Sequence, residues 1–290
     1  MASTIKLKAH AKINLTIEIL GKRQDGYHEI VSILQTIGLH DTIKLTIAND
    51  ISLKTNMPAV PESGNLAYKA AQFMAERSQK HQGVIIHLDK SIPISAGLGG
   101  GSADAAAVLS GLNRLWELEL SYEDLIEIAG ELGSDVPFFI KGGTAMVSGR
   151  GDQVRALQPA HSTWFILICP NIHIHDKTKT MYSMIQPAHY TKGFLTRKLE
   201  ARIRGNGDVP AELLFNTFDL MGRKAYPNLH KYWNALLQLG ATEIHLAGSG
   251  PSIYAPMPNK EYGTAIKLLL NRNPDWNTHL VTTVQPHIIL

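Results

Sequence analysis

Four glycines fall within five positions, at Gly97, Gly99, Gly100 and Gly101, directly before an alanine-rich run. Glycine permits positive φ and lets a ligand approach the backbone with no Cβ in the way. Several main-chain N–H groups can then turn onto one anion, and a helix that follows adds the positive end of its dipole. The segment from Pro93 through Ala96, Gly97, Leu98, Gly99, Gly100 and Gly101 to Ser102 therefore reads as a phosphate cradle. Ser102 either lends a hydroxyl to the phosphates, or to a magnesium ion they carry, or is only the helix cap. The segment lacks the lysine of a Walker loop, and its spacing does not match the dinucleotide fingerprint.

Other residues can do chemistry. Lys12 and Asn14 alternate with Ile13 and Leu15, so they point the same way from a strand. Asp135 lies just past a helix that Gly133 ends, where a carboxylate can accept a proton or merely sit in solvent. The plain alternative for Lys12 is a lysine at a strand's solvent edge. Tyr27 and His28 suit a pyrimidine, with a phenol face for stacking and an imidazole for the polar edge, or else simple packing. His173, His175 and Asp176 lack further ligands at a metal-binding spacing. Cys169, the single cysteine, sits in an apolar run and reads as a buried thiol. Arg197, Lys198, Arg202 and Arg204 read as a solvated face.

The elements that hold these residues follow from periodicity. Strands are expected over residues 13–19, 43–47, 51–53 and 84–88, the first buried on one face. Asn65 caps a helix bearing Leu66, Ala70, Phe73 and Met74. Ala105, Val108, Leu109, Leu112 and Trp116 make one helical face after the glycines, and Ser121 with Asp124 forms a capping box for the helix that Gly133 stops. A strand between Pro159 and Pro170, a surface excursion over residues 202–210, a helix over 229–239, strands 243–247 and 252–255 around a turn at Gly248, Ser249 and Gly250, a helix near 265–269 and a strand over 280–284 complete the chain. At 290 residues, two lobes around one cleft are expected, divided near residue 155 into segments 1–155 and 156–290 of an α+β protein. Lys and Arg exceed Asp and Glu by only three (28 against 25) and are scattered, which argues against a nucleic-acid partner. No apolar run suggests a secretion signal or a membrane span, so a cytoplasmic protein is expected.

The stretch from Pro93 to Ala107 resembles the second motif of the GHMP kinases, residues 11–15 (AKINL) resemble the first, and residues 246–255 (LAGSGPSIYA) the third. Residues 23–30 (RQDGYHEI) and 133–138 (GSDVPF) resemble the branch of that family that phosphorylates CDP-methylerythritol in the non-mevalonate route to isoprenoids. The resemblance implies a ribosomal-S5-like N-terminal domain, a ferredoxin-like C-terminal domain, and ATP with magnesium as cofactors. It also implies a monomer or weak homodimer and phosphorylation of the C2 hydroxyl of the small-molecule substrate. In that reading Asp135 is the base, Lys12 orients the hydroxyl, and Asn65, Leu66 and Lys90 lie around adenine. Tyr27 and His28 bind cytosine, Asn14 reaches the erythritol, Tyr182 closes the other ring face, and Gly248, Ser249 and Gly250 approach the diphosphate. The rivals are a homoserine-type or mevalonate-type kinase, or a nucleotide-binding module without catalysis.

Overall fold

The computed structural model describes residues 4–57, 62–78, 82–172 and 174–285. The chain opens with two long antiparallel strands, β1 (Thr4–Lys22) and β2 (His28–Ala48), followed by β3 (Ser52–Thr55). Helix α1 (Leu66–Ser78) and strand β4 (Gly83–Asp89) lead to the glycine segment and α2 (Gly100–Leu115). Next come α3 (Tyr122–Leu132), α4 (Val136–Lys141), β5 (Thr144–Gly149) and β6 (Gln153–Ala156). The second half holds β7 (Trp164–Cys169), α5 (Lys177–Ser183), α6 (Phe194–Arg204), β8 (Phe215–Asn216) and α7 (Asp219–Ala225). It ends with α8 (Leu229–Gln238), β9 (His245–Leu246), β10 (Ile253–Met257), α9 (Lys260–Leu270) and β11 (Asn277–Thr282).

Two sheets result. The first runs β3-β4-β2-β1-β8, with β5 paired to β2 and β6 to β5. The second runs β11-β7-β10-β9, wholly antiparallel, which is the strand order of a ferredoxin-like unit. The change of sheet falls between β6 and β7, and β8 then returns to pair in parallel with β1 through Thr16 and Ile17.

Helices α1 to α4 cover the first sheet, packing Met74, Val108, Leu112 and Ile128 on Ile43, Leu45 and Ile86. Phe165, Leu167 and Tyr254 of the second sheet pack instead on Ile13 and Leu15 of β1, while the alternate residues Ile166, Ile168 and Ile253 face Met221, Trp233 and Leu236 of the outer helices. Strand β7 is thus buried on both faces, and burial pushes the Cys169 thiol up to about 12, which leaves it inert.

Three expectations need correction. β1 is buried on both faces: Thr16 and Glu18, on the supposed solvent side, are 0% and 2% exposed. The cover there is α6, whose Thr196 amide donates to Glu18 and whose Thr196 hydroxyl bonds Thr16. Second, residues 202–204 of the expected surface excursion are the last turn of that helix, and the excursion itself runs over 205–210. The helix's four basic residues are exposed, the solvated face that was expected, while Leu199 and Ile203 pack into the core with Leu195 against them. Arg202 and Arg204 end in surface ion pairs with Asp208 and Glu200. Third, Ser102 is not a cap: α2 begins at Gly100, with Gly99 at the cap position in the left-handed region.

Candidate functional site

A cleft of about 1420 Å³ is bordered by β1, β2, the glycine segment, α5 and the turn at Gly248, and is larger than the roughly 300–1,000 Å³ usual for one small ligand. Each of the nominated residues except Gly250 lines it, including Pro93 and Ala96 at the start of the glycine segment, Asn65 and Leu66 at the head of α1, and Ser249 of the third glycine turn.

Lys12 reaches the cleft from β1 at a place where the strand slips register. The pairing of β1 with β2 shifts between His10 and Lys12 and again between Asn14 and Thr16, and such bulges re-aim side chains. Lys12 is 6% exposed, far from the solvent edge that a strand lysine usually seeks. Its Nζ donates to Asn14 Oδ1 at 2.8 Å, and Asn14 Nδ2 in turn donates to Ser32 Oγ at 2.8 Å. Burial pulls the Lys12 ammonium below its ordinary value, with the charge of Asp135 opposing.

Asp135 occupies the cap position of α4, where an aspartate normally accepts from a backbone N–H; here it makes no such bond. Its carboxylate bears on Lys12, Lys177 and Tyr182, so the four side chains share one corner of the cleft.

The glycine segment is tied down by its carbonyls. Leu98 O accepts from Lys12 N at 2.9 Å, and Ala96 O from Ser252 N at 3.2 Å. Gly97 has φ +87°, and a Cβ there would lie 2.1 Å from Ala247 O, so contact with the third motif by itself requires glycine here. Gly99, at φ +71°, has the ring of Phe139 where a Cβ would go. With no side-chain cap on α2, the amides of its first turn have no acceptor within the helix. Ser102 belongs to that turn.

The turn at Gly248, Ser249 and Gly250 is fixed from several sides. Asn216 Nδ2 donates to Leu246 O and Gly248 O, both at 2.8 Å, Tyr226 donates to Ser249 O, and Lys177 to Gly250 O. Gly250 is thus behind the lining, holding it.

At the other end His28 stacks on Tyr182 with centroids 5.3 Å apart, and Arg150 lies over Tyr27, itself 56% exposed. Burial, with Lys22 nearby, lowers the His28 value, leaving a neutral ring with one donor and one acceptor at pH 7. Burial, then the charge of Asp135, pushes the Tyr182 phenol up to about 12.

Asn65 and Lys90 already have protein partners. Asn65 Oδ1 accepts from Ala67 N at 2.9 Å as the cap of α1, and Lys90 Nζ bonds Asp41 at 2.5 Å and Asp104 at 2.7 Å. His173 lies outside the described residues, and His175 is exposed. Among the described residues no group of three or more His, Cys, Asp or Glu could hold a metal.

Lys177, Asn216, Ser32 and Arg150 are the site residues that sequence reasoning did not find. Lys177 sits in a polar stretch that reads as surface, and Asn216 acts from a strand of two residues.

The family model for the GHMP kinases N terminal domain matches residues 65–143, and that for the GHMP kinases C terminal matches residues 199–273. A 4-diphosphocytidyl-2-C-methyl-D-erythritol kinase of Dehalococcoides mccartyi is 38% identical over 284 residues, 97% of this chain and 99% of its own. One from Acetivibrio thermocellus is likewise 38% identical over 284 residues, with the same coverage. A crystal structure of 4-(cytidine 5'-diphospho)-2C-methyl-D-erythritol kinase superimposes with a TM-score of 0.81 at 26% identity, covering 96% of this chain and 98% of its own. Homoserine kinase from Cytophaga hutchinsonii shares the fold, with a TM-score of 0.75 at 20% identity over 97% of this chain and 95% of its own.

Proposed function

We propose, because this chain belongs to the 4-diphosphocytidyl-2-C-methyl-D-erythritol kinase family of the GHMP kinases, that it transfers the γ-phosphoryl group of ATP to the C2 hydroxyl of that CDP-linked alcohol. The observation that carries the reading is one cleft lined by a glycine cradle, a buried Lys12 beside an uncapping Asp135, and the stacked rings of His28 and Tyr182.

Phosphoryl transfer leaves the protein mainly alignment and charge stabilisation. Asp135 takes the proton of the C2 hydroxyl as the oxygen attacks. Lys12 holds that oxygen and offsets its charge, its own position set by Asn14 and Ser32. The amides from Gly97 to Gly101 receive the ATP phosphates, Leu66 borders the nucleotide, and Asn65 and Lys90 act there as builders of the pocket wall. Tyr27 and His28 take the cytosine with Tyr182 on its other face. Ser102, in the first turn of α2 and lining the cleft, is the side chain that would meet a magnesium ion carried by ATP, which would supply neutralisation of phosphate charge.

The test is ADP release with CDP-methylerythritol as acceptor, with the new phosphate located by phosphorus NMR. Phosphate on the C2 oxygen is the expected result. Turnover of homoserine or mevalonate in its place, or ATP binding with no transfer to any alcohol, overturns the reading.

A further inference from the structure

Among the cations lining the cleft, Lys177 is one that the mechanism above leaves without a task, and it stands in the same corner as Asp135 and Lys12. Lys177 is the first residue of α5, lines the cleft, and donates to the Gly250 carbonyl. That bond uses one of three ammonium donors. Its neighbour Thr178 bonds Ser249 through the two hydroxyls at 3.1 Å, so the start of α5 is doubly tied to the third glycine turn. Lys12 approaches the same turn from the other lobe, its Nζ 3.2 Å from where a Cβ of Gly248 would be.

The contrast with Lys90 is informative. Lys90 is buried and paired with two carboxylates, Asp41 and Asp104, as a structural lysine should be. Lys12 and Lys177 have no carboxylate within ion-pair distance among the described residues; their nearest partners are the Asn14 amide oxygen and the Gly250 carbonyl. They repel each other as well: burial, then the charge of Lys12, pulls Lys177 down to about 8, with Asp135 opposing. Two like charges share one corner with a single carboxylate, Asp135, so an anion bound there is favoured by the remaining positive charge.

We propose that Lys177 is a second active-site cation, supplied by the C-terminal half of the chain, that takes the non-bridging oxygens of the phosphoryl group in transit while Lys12 holds the attacking oxygen. The inference rests on the kinase reading above. In the step, the bond from the alcohol oxygen to the γ-phosphorus forms, and the bond from that phosphorus to the bridging oxygen breaks. The electron pair leaves on ADP, and the alcohol proton goes to Asp135. Lys177 exchanges no proton; it offsets charge that spreads over the oxygens. Asp135, Lys12 and, through its phenol, Tyr182 are the titratable groups that face this corner.

The experiment measures initial rates of the full-length wild type, K177M and K177R with ATP and CDP-methylerythritol from about pH 6 to about pH 10. A cation is present below its pKa and lost above it, so wild-type kcat/KM should fall as pH rises through about 8. K177M should lose about 10²-fold or more in kcat while KM for either substrate moves only a few-fold. K177R, charged throughout, should recover most of kcat and shed the Lys177 part of the alkaline fall, leaving that of Lys12. A K177M enzyme with wild-type kcat and pH profile, or a K177R enzyme no better than K177M, overturns the proposal. Wild-type inactivity toward this acceptor removes the kinase reading and this inference with it, whereas wild-type turnover untouched by K177M removes this inference alone.

Discussion

Asp135 and the two lysines define the site's cost as well as its chemistry. An aspartate at a helix cap that bonds no amide forgoes about 1 kcal/mol of capping, which is the expense of keeping its oxygens available. Asp135→Asn keeps the shape and removes the proton acceptor, so kcat should fall by about 10²–10⁴ with KM for ATP little changed. Steady-state kinetics check this, and near wild-type kcat would refute the base assignment. The lysines make a second, thermodynamic prediction. Lys177 sits at about 8 in the fold against an ordinary 10.5, so between those values the unfolded chain binds more protons. Stability from this group therefore rises with pH across that window, and at neutral pH the buried charge is a burden. Lys177→Met should be more stable than wild type at pH 7 by about 1–3 kcal/mol, discounted for residual solvent around a half-buried group. The gap should narrow as pH climbs above about 8. Paired denaturant titrations across that range would show it; a gap that widens with pH would refute the account.

At the scale of elements, the glycine segment shows what a sequence can and cannot disclose. Its spacing before α2 was legible because glycines and helix starts are local signals, and the stripe of Ala105, Val108, Leu109 and Leu112 is buried as periodicity requires. The burial of Thr16 and Glu18 was not legible, because their cover comes from α6, and that of Lys12 was not, because the turn at Gly248 approaches it, both far along the chain. For the same reason Lys177 and Asn216 were hidden: each acts by contact with the turn at Gly248 to Gly250, and no pattern within its own segment marks it. At Gly97 the structure adds a requirement that the sequence did not show. A Cβ there would strike the carbonyl of Ala247, so the first cost of a side chain falls on packing between the lobes. Gly97→Ala combines that clash with positive φ, itself worth about 1–2 kcal/mol, and should lower stability by several kcal/mol in total. A denaturation midpoint within error of wild type would show that the two glycine-rich turns can separate without loss.

For the whole molecule, the question is whether the segments proposed to divide near residue 155 are separate folding units. The structure joins them through β1. Ile13, Leu15, Ile33 and Ile37 belong to the first sheet, yet they share a core with Phe165, Leu167 and Tyr254 of the second. The Tyr254 hydroxyl donates to Asn14 O at 2.6 Å, and β8 pairs with Thr16 and Ile17. Deleting everything after β6 exposes those four aliphatic side chains, at about 1.5–3 kcal/mol each. The sum, roughly 6–12 kcal/mol, is as large as the whole stability of a typical domain. It also uncovers Thr16 and Glu18, whose partner Thr196 is removed. A fragment of residues 1–156 should therefore keep much of its far-ultraviolet signal but bind hydrophobic dye and lose fixed near-ultraviolet signals, including that of Trp116, now 1% exposed in the helical layer. The intact chain should instead unfold in one transition by every probe, because neither lobe can leave without opening the shared core. A fragment that melts cooperatively with Trp116 still ordered would mean that β1 carries its own lobe, and that the cleft is an encounter of two stable domains.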